Sequence, residues 1–195
     1  KIAEQKKIIL IEDNCESLGS RLKNKFLGTF GDFGTFSFYY SHQITSGEGG
    51  MIVCSNKEDY NILFALRSHG WLGGTRFYSR DLKLYDEYAK QNPNLDPRYI
   101  FINSGFNLRP TDIQGAIGHN QFKRLSKLKF QRNINRNLIL NKIRNSDKWR
   151  EQFHFIKTPK HIDPSWMGFP ILLSKKFRKK KKKFMDYLDS RGIET

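Results

Sequence analysis

Residues 11–51 run IEDNCESLGSRLKNKFLGTFGDFGTFSFYYSHQITSGEGGM, and the order of strand and turn signals within them decides the fold. The run KIILIE at 7–12 is apolar and ends in an acidic residue, the pattern of a buried parallel strand. Gly19, Gly28, Gly31 and Gly34 punctuate the chain behind it with turns. GTFSFYY at 34–40 alternates small and aromatic residues, as a strand does. Residues 41–48 form a polar turn, and GGMIVCS at 49–55 is a further buried strand.

Downstream the helix signals take over. Ser55 or Asn56 caps a segment whose apolar positions Ile62, Leu63, Ala65 and Leu66 share a face, with a stop at Gly70. Residues 73–100 carry little periodicity and are expected to be a long loop. Pro110 and Thr111 open a long helical pattern that runs to about Asn145, with a break expected near Ser126. Residues 152–156 and GFPILLS at 168–174 have strand character, and Pro164 and Pro170 mark loop or edge positions. The segment KKFRKKKKKFMDYLDSRG places Phe177, Phe184 and Leu188 on one face, giving an amphipathic helix that stops at Gly192. Strands interleaved with helices make an α/β core, with a strand–helix unit at the end that opens a second one. The expected division is 1–148 and 149–195, and the abrupt start and stop lead us to expect a fragment.

The 195 residues carry 35 Lys+Arg against 19 Asp+Glu, a formal net charge of +16. That charge is lopsided: residues 1–100 hold 13 basic and 12 acidic residues, residues 101–195 hold 22 and 7. A basic half invites a nucleic acid, an anionic surface or a phosphorylated ligand, although a bias towards Lys, Asn, Ile, Phe and Tyr produces the same charge without any partner. Sixteen Phe and eight Tyr exclude a disordered chain. No apolar run is long enough for a membrane span, and the N-terminal residues do not form a signal peptide. Two cysteines, Cys15 and Cys54, are too few for a disulfide framework, so a reducing, cytoplasmic compartment is expected.

Chemistry concentrates in the first half. Asp13 lies just past the carboxyl end of a buried strand, where α/β sheets bind ligands and where a carboxylate pairs with a cationic heterocycle or a metal. Ser37 ends a strand with a hydroxyl suited to a phosphate. His42 stands in a polar turn where a general acid/base reaches solvent and substrate. Taken one at a time these residues have plainer uses, a loop histidine as a surface hydrogen-bonder and a strand-terminal aspartate as a cap or turn former.

Together they carry a resemblance. IEDNCESLG, GTFGDFGTFSFYYSHQITSGEGGM and GFNLRPTDIQGAIG at 105–118, in that order, resemble the signatures of the DegT/DnrJ/EryC1/StrS sugar aminotransferase family, and the closing GIET is similar to its small domain. The resemblance implies a fold-type I pyridoxal-phosphate (PLP) enzyme: a doubly wound large domain, here partial, followed by the start of a small C-terminal α/β domain. The phosphate-gripping helix start that precedes these motifs in the family is missing. By the same resemblance Asp13 pairs with the pyridine nitrogen, and Glu16 lies against the ring and its 3′-oxygen. Ser37 binds the cofactor phosphate. Asn107 reaches the cofactor phosphate of a neighbouring subunit, which implies a homodimer, and Arg109 contacts substrate phosphate.

One position departs from the aminotransferase pattern. Where those enzymes have the lysine that holds the cofactor covalently, this chain has His42, and no lysine occurs from Phe26 to Asn56 although the chain holds 22. Histidine moves a proton but forms no stable imine. SFYYSHQITSGEGGM resembles the nucleotide-sugar 3-dehydratase subgroup, which uses pyridoxamine phosphate (PMP) to remove the C3 hydroxyl of a nucleotide-linked 4-keto-6-deoxy sugar in deoxysugar and lipopolysaccharide biosynthesis. One kind, acting on a GDP-linked sugar, regenerates its cofactor with glutamate; another carries a [2Fe–2S] cluster on four cysteines. Only Cys15 stands near a cluster position, so no iron–sulfur cluster is expected, and Cys15 is expected to be a small buried residue. The alternatives are a sugar aminotransferase that compensates for the lost lysine and a basic polyanion-binding module built on 101–195. For the main reading neither nucleic acid nor membrane is an expected partner.

Overall fold

The computed structural model describes residues 2–72, 83–96 and 99–195. After a short helix α1 (Ile2–Gln5), strand β1 (Ile11–Asp13) pairs in parallel with β4 (Phe33–Ser37) in the register Ile11↔Phe33, Glu12↔Gly34 and Asp13↔Thr35. β4 then pairs antiparallel with β5 (Gly50–Cys54), from Phe33↔Cys54 to Ser37↔Gly50. The three-stranded sheet is therefore mixed, in the order β1–β4–β5. A parallel return needs a crossover, usually a helix; the chain between β4 and β5 is a loop that folds straight back.

Two expectations about this sheet are corrected. Only Ile11–Asp13 of the apolar run joins the ladder, and in this half-length chain Ile8, Ile9 and Ile11 are 58%, 68% and 61% exposed. Lys7 takes a left-handed conformation at φ 53°, and residue 10 is held by Asp32, whose Oδ2 accepts the Leu10 N–H at 2.7 Å. β1 is an edge strand here, so its side chains have one neighbouring strand and little to cover them. The strand expected at 34–40 stops at Ser37, because Phe38 turns its backbone out to close the next loop through Phe38 N–H to Gly49 O and Ser46 N–H to Phe38 O.

A hairpin sits between β1 and β4. β2 (Arg21–Leu22) and β3 (Lys25–Phe26) are joined by Lys23 and Asn24 at φ 48° and 66°, the paired positive φ of a tight two-residue hairpin turn. The Arg21 guanidinium lies 4.0 Å over the ring of its cross-strand partner Phe26. The other edge of β2 takes in β7 (Ile162–Asp163), so a segment far along the chain returns to the first.

Asn56 caps α2 (Lys57–Leu66), its side chain accepting from the Glu58 N–H at 2.7 Å. The helix ends at Leu66 rather than Gly70, because residues 66–72 turn into a strap against 100–108, with Ser68↔Asn107 and Trp71↔Phe101 bridges. Gly70, at φ 80°, packs so tightly on the Asn103 backbone that no side chain fits. Leu72 and Ile100 are buried under this strap, with Tyr88 and Ile102 against them. Tyr88 belongs to α3 (Lys83–Gln91), a helix inside the stretch expected to be a loop. Five of its nine residues, Lys83, Asp86, Glu87, Lys90 and Gln91, are charged or polar, which is what hides it from periodicity. Residues 73–82 and 97–98 of that stretch lie outside the described residues.

The long helical pattern is two helices, α4 (Asp112–Phe122) and α5 (Leu125–Arg144), broken at Lys123–Arg124, slightly before the expected Ser126. α4 opens with a reciprocal cap: Gln114 N–H donates to the Thr111 hydroxyl, and Thr111 N–H to Gln114 Oε1. Cations of α5 tie distant segments together. Lys129 donates to Gly19 O at 2.9 Å and Asp163 Oδ2 at 2.6 Å, Arg132 to Trp166 O at 3.0 Å, and Arg136 to Ile156 O at 2.8 Å.

At the end of the chain β6 (Phe153–Phe155) and β8 (Ile171–Leu173) form an antiparallel pair. Trp149, Phe153, Phe155, Phe169 and Phe184 make a continuous aromatic cluster across it, with ring centroids 5.1–6.4 Å apart. The expected amphipathic helix starts as a 3₁₀ segment (Lys175–Lys180) and continues as α6 (Lys181–Asp189), stopping before Gly192. None of the described helices is long and apolar enough to cross a membrane.

The tightest approach in the sheet falls at Gly34, where any Cβ would drive into the Gly28 carbonyl. Gly34→Ala is expected to lower unfolding free energy by about 2–3 kcal/mol through overpacking alone. Urea unfolding followed by circular dichroism measures it; Gly115→Ala, where a Cβ meets open space inside α4, is the comparison and should equal or exceed the parent by up to about 1 kcal/mol.

Candidate functional site

Successive residues of a strand face opposite sides, so Glu12 and Asp13 at the end of β1 do different work. Glu12 turns back on the chain. Its Oε1 accepts the Gly28 N–H at 2.8 Å, and its Oε2 accepts the N–H groups of Phe30 and Gly31 at 2.5 and 2.7 Å. Burial works against its ionisation, but these three donors and nearby Lys25 outweigh it and hold the carboxyl below the ordinary carboxylate range. Sequence reasoning passed over Glu12. The available signal was an acidic residue beside Asp13 followed by a glycine-bounded turn, since a turn's unpaired N–H groups need an acceptor.

Asp13 faces outward at the carboxyl end of the parallel pair, where the backbone opens. Its Oδ1 accepts the Cys15 N–H at 3.1 Å and the Thr35 hydroxyl at 3.5 Å. The Cys15 thiol and amide lower its pKa, with the charge of His42 adding to the effect. Conversely, the Asp13 carboxylate, helped by burial, raises the Cys15 thiol, which stays a donor. Cys15 is half-buried rather than fully buried as expected, because it sits on the turn beside Asp13 and not under the sheet.

Asn14 shapes that turn. It is 4% exposed, donates to Glu12 O at 3.0 Å and accepts the Ser17 hydroxyl at 2.9 Å. The exposed Glu16 follows, and its main-chain carbonyl accepts Gln43 Nε2 at 2.6 Å. Ser37 closes β4 two residues beyond Asp13's register; its Oγ accepts the Tyr39 N–H at 3.2 Å, which leaves the hydroxyl hydrogen to donate elsewhere. His42 is half-buried, its N–H bound to Tyr39 O at 3.1 Å and its ring edge-on to Tyr39 with centroids 5.8 Å apart. Its Nδ1 is buried and, among the described residues, has no hydrogen-bond partner.

The fold thus gathers Asp13, Ser37 and His42 around one end of the β1–β4 pair. It does not join Asn107 and Arg109 to them: both are exposed on the segment after Gly105, and Asn107 bridges Ser68. The floor of the region is braced by α4, whose Gln114 donates to Glu48 O at 3.0 Å. An ionised carboxylate, a free hydroxyl donor and an unpartnered imidazole suit a small ligand with a protonated ring and an anionic tail.

The family model for the DegT/DnrJ/EryC1/StrS aminotransferase family matches residues 1–195. A GDP-4-keto-6-deoxy-D-mannose 3-dehydratase of Escherichia coli O55:H7 is 37% identical over 194 residues, covering all of this chain and 47% of that protein. Among solved structures, the E. coli GDP-4-keto-6-deoxy-D-mannose-3-dehydratase with bound hydrated PLP is 34% identical with a TM-score of 0.78, over 99% of this chain and 47% of that one. A structure of GDP-4-keto-6-deoxymannose-3-dehydratase with a trapped PLP–glutamate geminal diamine is also 34% identical, with a TM-score of 0.77 and the same coverage. The chain spans about half the length of these relatives.

The Glu12 cradle carries a pH signature. A carboxyl with a lowered folded-state pKa binds fewer protons than the unfolded chain, so it stabilises the fold above the ordinary carboxylate range. That contribution is lost as pH falls through the depressed value. Glu12→Gln is expected to cost about 1–3 kcal/mol at neutral pH by removing charge-assisted hydrogen bonds and to flatten the acid limb of stability against pH. Denaturant titrations between neutral and acidic pH read both effects.

Proposed function

The chain belongs to the DegT/DnrJ/EryC1/StrS aminotransferase family, and from that premise we propose that it serves a PLP/PMP-dependent nucleotide-sugar 3-dehydratase. The observation that carries this reading is His42 in the loop after β4, with no lysine from Phe26 to Asn56. Family transamination rests on a lysine there; a proton-moving imidazole supports C3 deoxygenation instead. The substrate is a nucleotide-linked 4-keto-6-deoxy sugar and the amino donor is glutamate. The identity to two GDP-sugar dehydratase structures, one holding a PLP–glutamate adduct, supports both.

The donor set fits the cofactor. When bound, pyridoxamine phosphate supplies the amine that condenses with the sugar's keto carbon and a protonated ring that draws off electrons. Asp13, kept ionised by the Cys15 thiol and amide, holds a proton at the ring nitrogen. Ser37, with its Oγ already accepting from Tyr39, directs its hydroxyl hydrogen to a phosphate oxygen. Glu16 lies on the turn beside Asp13 and borders the ring. His42 takes up and returns the proton that C3–O cleavage requires; its main-chain N–H is held to Tyr39 O within the loop. Asn107 completes the site of a second subunit in a homodimer, and Arg109 meets substrate phosphate.

No iron–sulfur cluster enters this reading. The Cys15 thiol is given to Asp13, and Cys54 Sγ donates to Asn56 O at 3.6 Å. Two free thiols agree with a cytoplasmic setting. Residues 1–148 belong to the large domain and 149–195 to the small one. The aromatic cluster of β6, β8 and α6, which packs on itself, supports that division, while β7 returns from the small part to pair with β2.

Supplied with PMP, glutamate and a nucleotide-linked 4-keto-6-deoxy sugar, the full-length protein should release a 3-deoxy sugar, identified by mass spectrometry; an amino sugar as sole product would overturn the reading. His42→Ala is expected to lower the rate about 100- to 10,000-fold. His42→Lys should give the PLP-loaded protein a new long-wavelength absorbance and shift its product towards the amino sugar.

A further inference from the structure

The loop that carries His42 is secured mostly to itself. Phe38 O accepts from Ser46 N–H and from the Thr45 hydroxyl, Tyr39 O accepts from His42 N–H, and Gly49 O accepts from Phe38 N–H. These bonds fix the shape of the loop but not its distance from the Asp13–Glu16 turn. Among the described residues one hydrogen bond spans that gap: Gln43 Nε2 donates to the Glu16 carbonyl at 2.6 Å, across 27 positions of sequence. Gln43 is 4% exposed and next to Ile44, also 4% exposed, so the side chain lies under the loop, out of solvent.

Gln43 is an uneconomical way to fill buried space. Its Oε1 is buried without a hydrogen-bond partner, a desolvation cost that an apolar side chain of the same length does not carry. What the amide returns is the single donor on the Glu16 carbonyl. The residue before it is His42, whose Nδ1 is also buried and unpartnered. Among the described residues no hydrogen bond from the ring fixes where the imidazole stands; its placement is inherited from the backbone on either side.

We propose that Gln43 is the positioning residue of this site: by clamping the loop to the Glu16 carbonyl it sets the separation of the His42 imidazole from the Asp13 carboxylate. The inference rests on the function proposed above for His42. Gln43 touches neither substrate nor cofactor and acts only through its neighbour. A loop freed by even an ångström leaves the base misaligned with the atom it must deprotonate, and misplacements of that size cost about 100-fold in rate.

The test uses full-length protein and two substitutions. Gln43→Met keeps length and volume and removes the donor; His42→Ala controls for the mechanism. For Gln43→Met we expect kcat to fall about 10- to 100-fold with KM for the nucleotide sugar and PLP affinity unchanged. The ring nitrogen NMR signals of His42 in cofactor-free protein should broaden or split. In the parent protein the Gln43 side-chain amide protons should exchange slowly with solvent, a measurement independent of how the variant folds. Unchanged kcat, a KM that rises in step with the loss, unperturbed imidazole signals, or fast exchange of the Gln43 amide would each overturn the assignment. Retention of full dehydratase activity by His42→Ala would instead remove the functional reading itself.

Discussion

The Glu12 carboxylate closes the start of this fold on itself. Three N–H groups from the turn Gly28–Gly31 converge on its two oxygens, and that turn delivers the chain into β4. Asp32 repeats the device one residue further along, its own carboxylate and N–H both bound to Leu10. Parallel pairing of two strands so near in sequence needs such anchors, because no helix crosses between them to supply packing. Since the pleat alternates, fixing Glu12 inward also fixes Asp13 outward. The acidic pair divides into a structural half and a chemical half.

The charge of the second half has two fates. Lys129, Arg132 and Arg136 on α5 reach backbone carbonyls in segments that would otherwise lie apart, and the Arg136 guanidinium also covers the Trp166 ring at 4.1 Å. Burial and the nearby charge of Arg144 lower the Arg136 pKa, yet it remains a donor. The lysines of the 3₁₀ segment and α6, by contrast, are exposed, and Lys182 pairs with Asp186 across one helical turn. An exposed pair of that kind contributes little. The basic excess is therefore partly internal cement and partly a solvated face, and it does not mark a polyanion site by itself.

The region around His42 combines rigid and yielding parts. Asp13 and Ser37 are held by strand pairing, whose register leaves no freedom along the chain. His42 sits beyond the ladder, on a loop whose internal hydrogen bonds preserve its shape and whose one tether to the aspartate's turn is a side chain. A base on a loop positioned by a rigid sheet is a common division of labour.

Local chemistry was legible in the sequence. The Asn56 cap, the helix start at Thr111, the paired helices of 112–144 and the strands at 50–54, 153–155 and 171–173 each follow from residue type and spacing over a few positions. The helix at 83–91 was hidden, because Tyr88 finds its partners, Leu72 and Ile100, in other segments. Glu12, Gln43 and the exposure of Ile8–Ile11 were hidden for the same physical reason. An acceptor is recognised by the donors that converge on it, a buried amide by the carbonyl it meets, and a buried strand by what covers it. The sequence by itself determined the α/β class, the family motifs and the absence of a lysine near His42. Only the tertiary structure decided that β5 runs antiparallel, that Glu12 faces the turn and Asp13 the site, and that one buried amide joins the loop of His42 to Glu16. Those facts depend on contacts between residues distant in sequence, which no local pattern encodes.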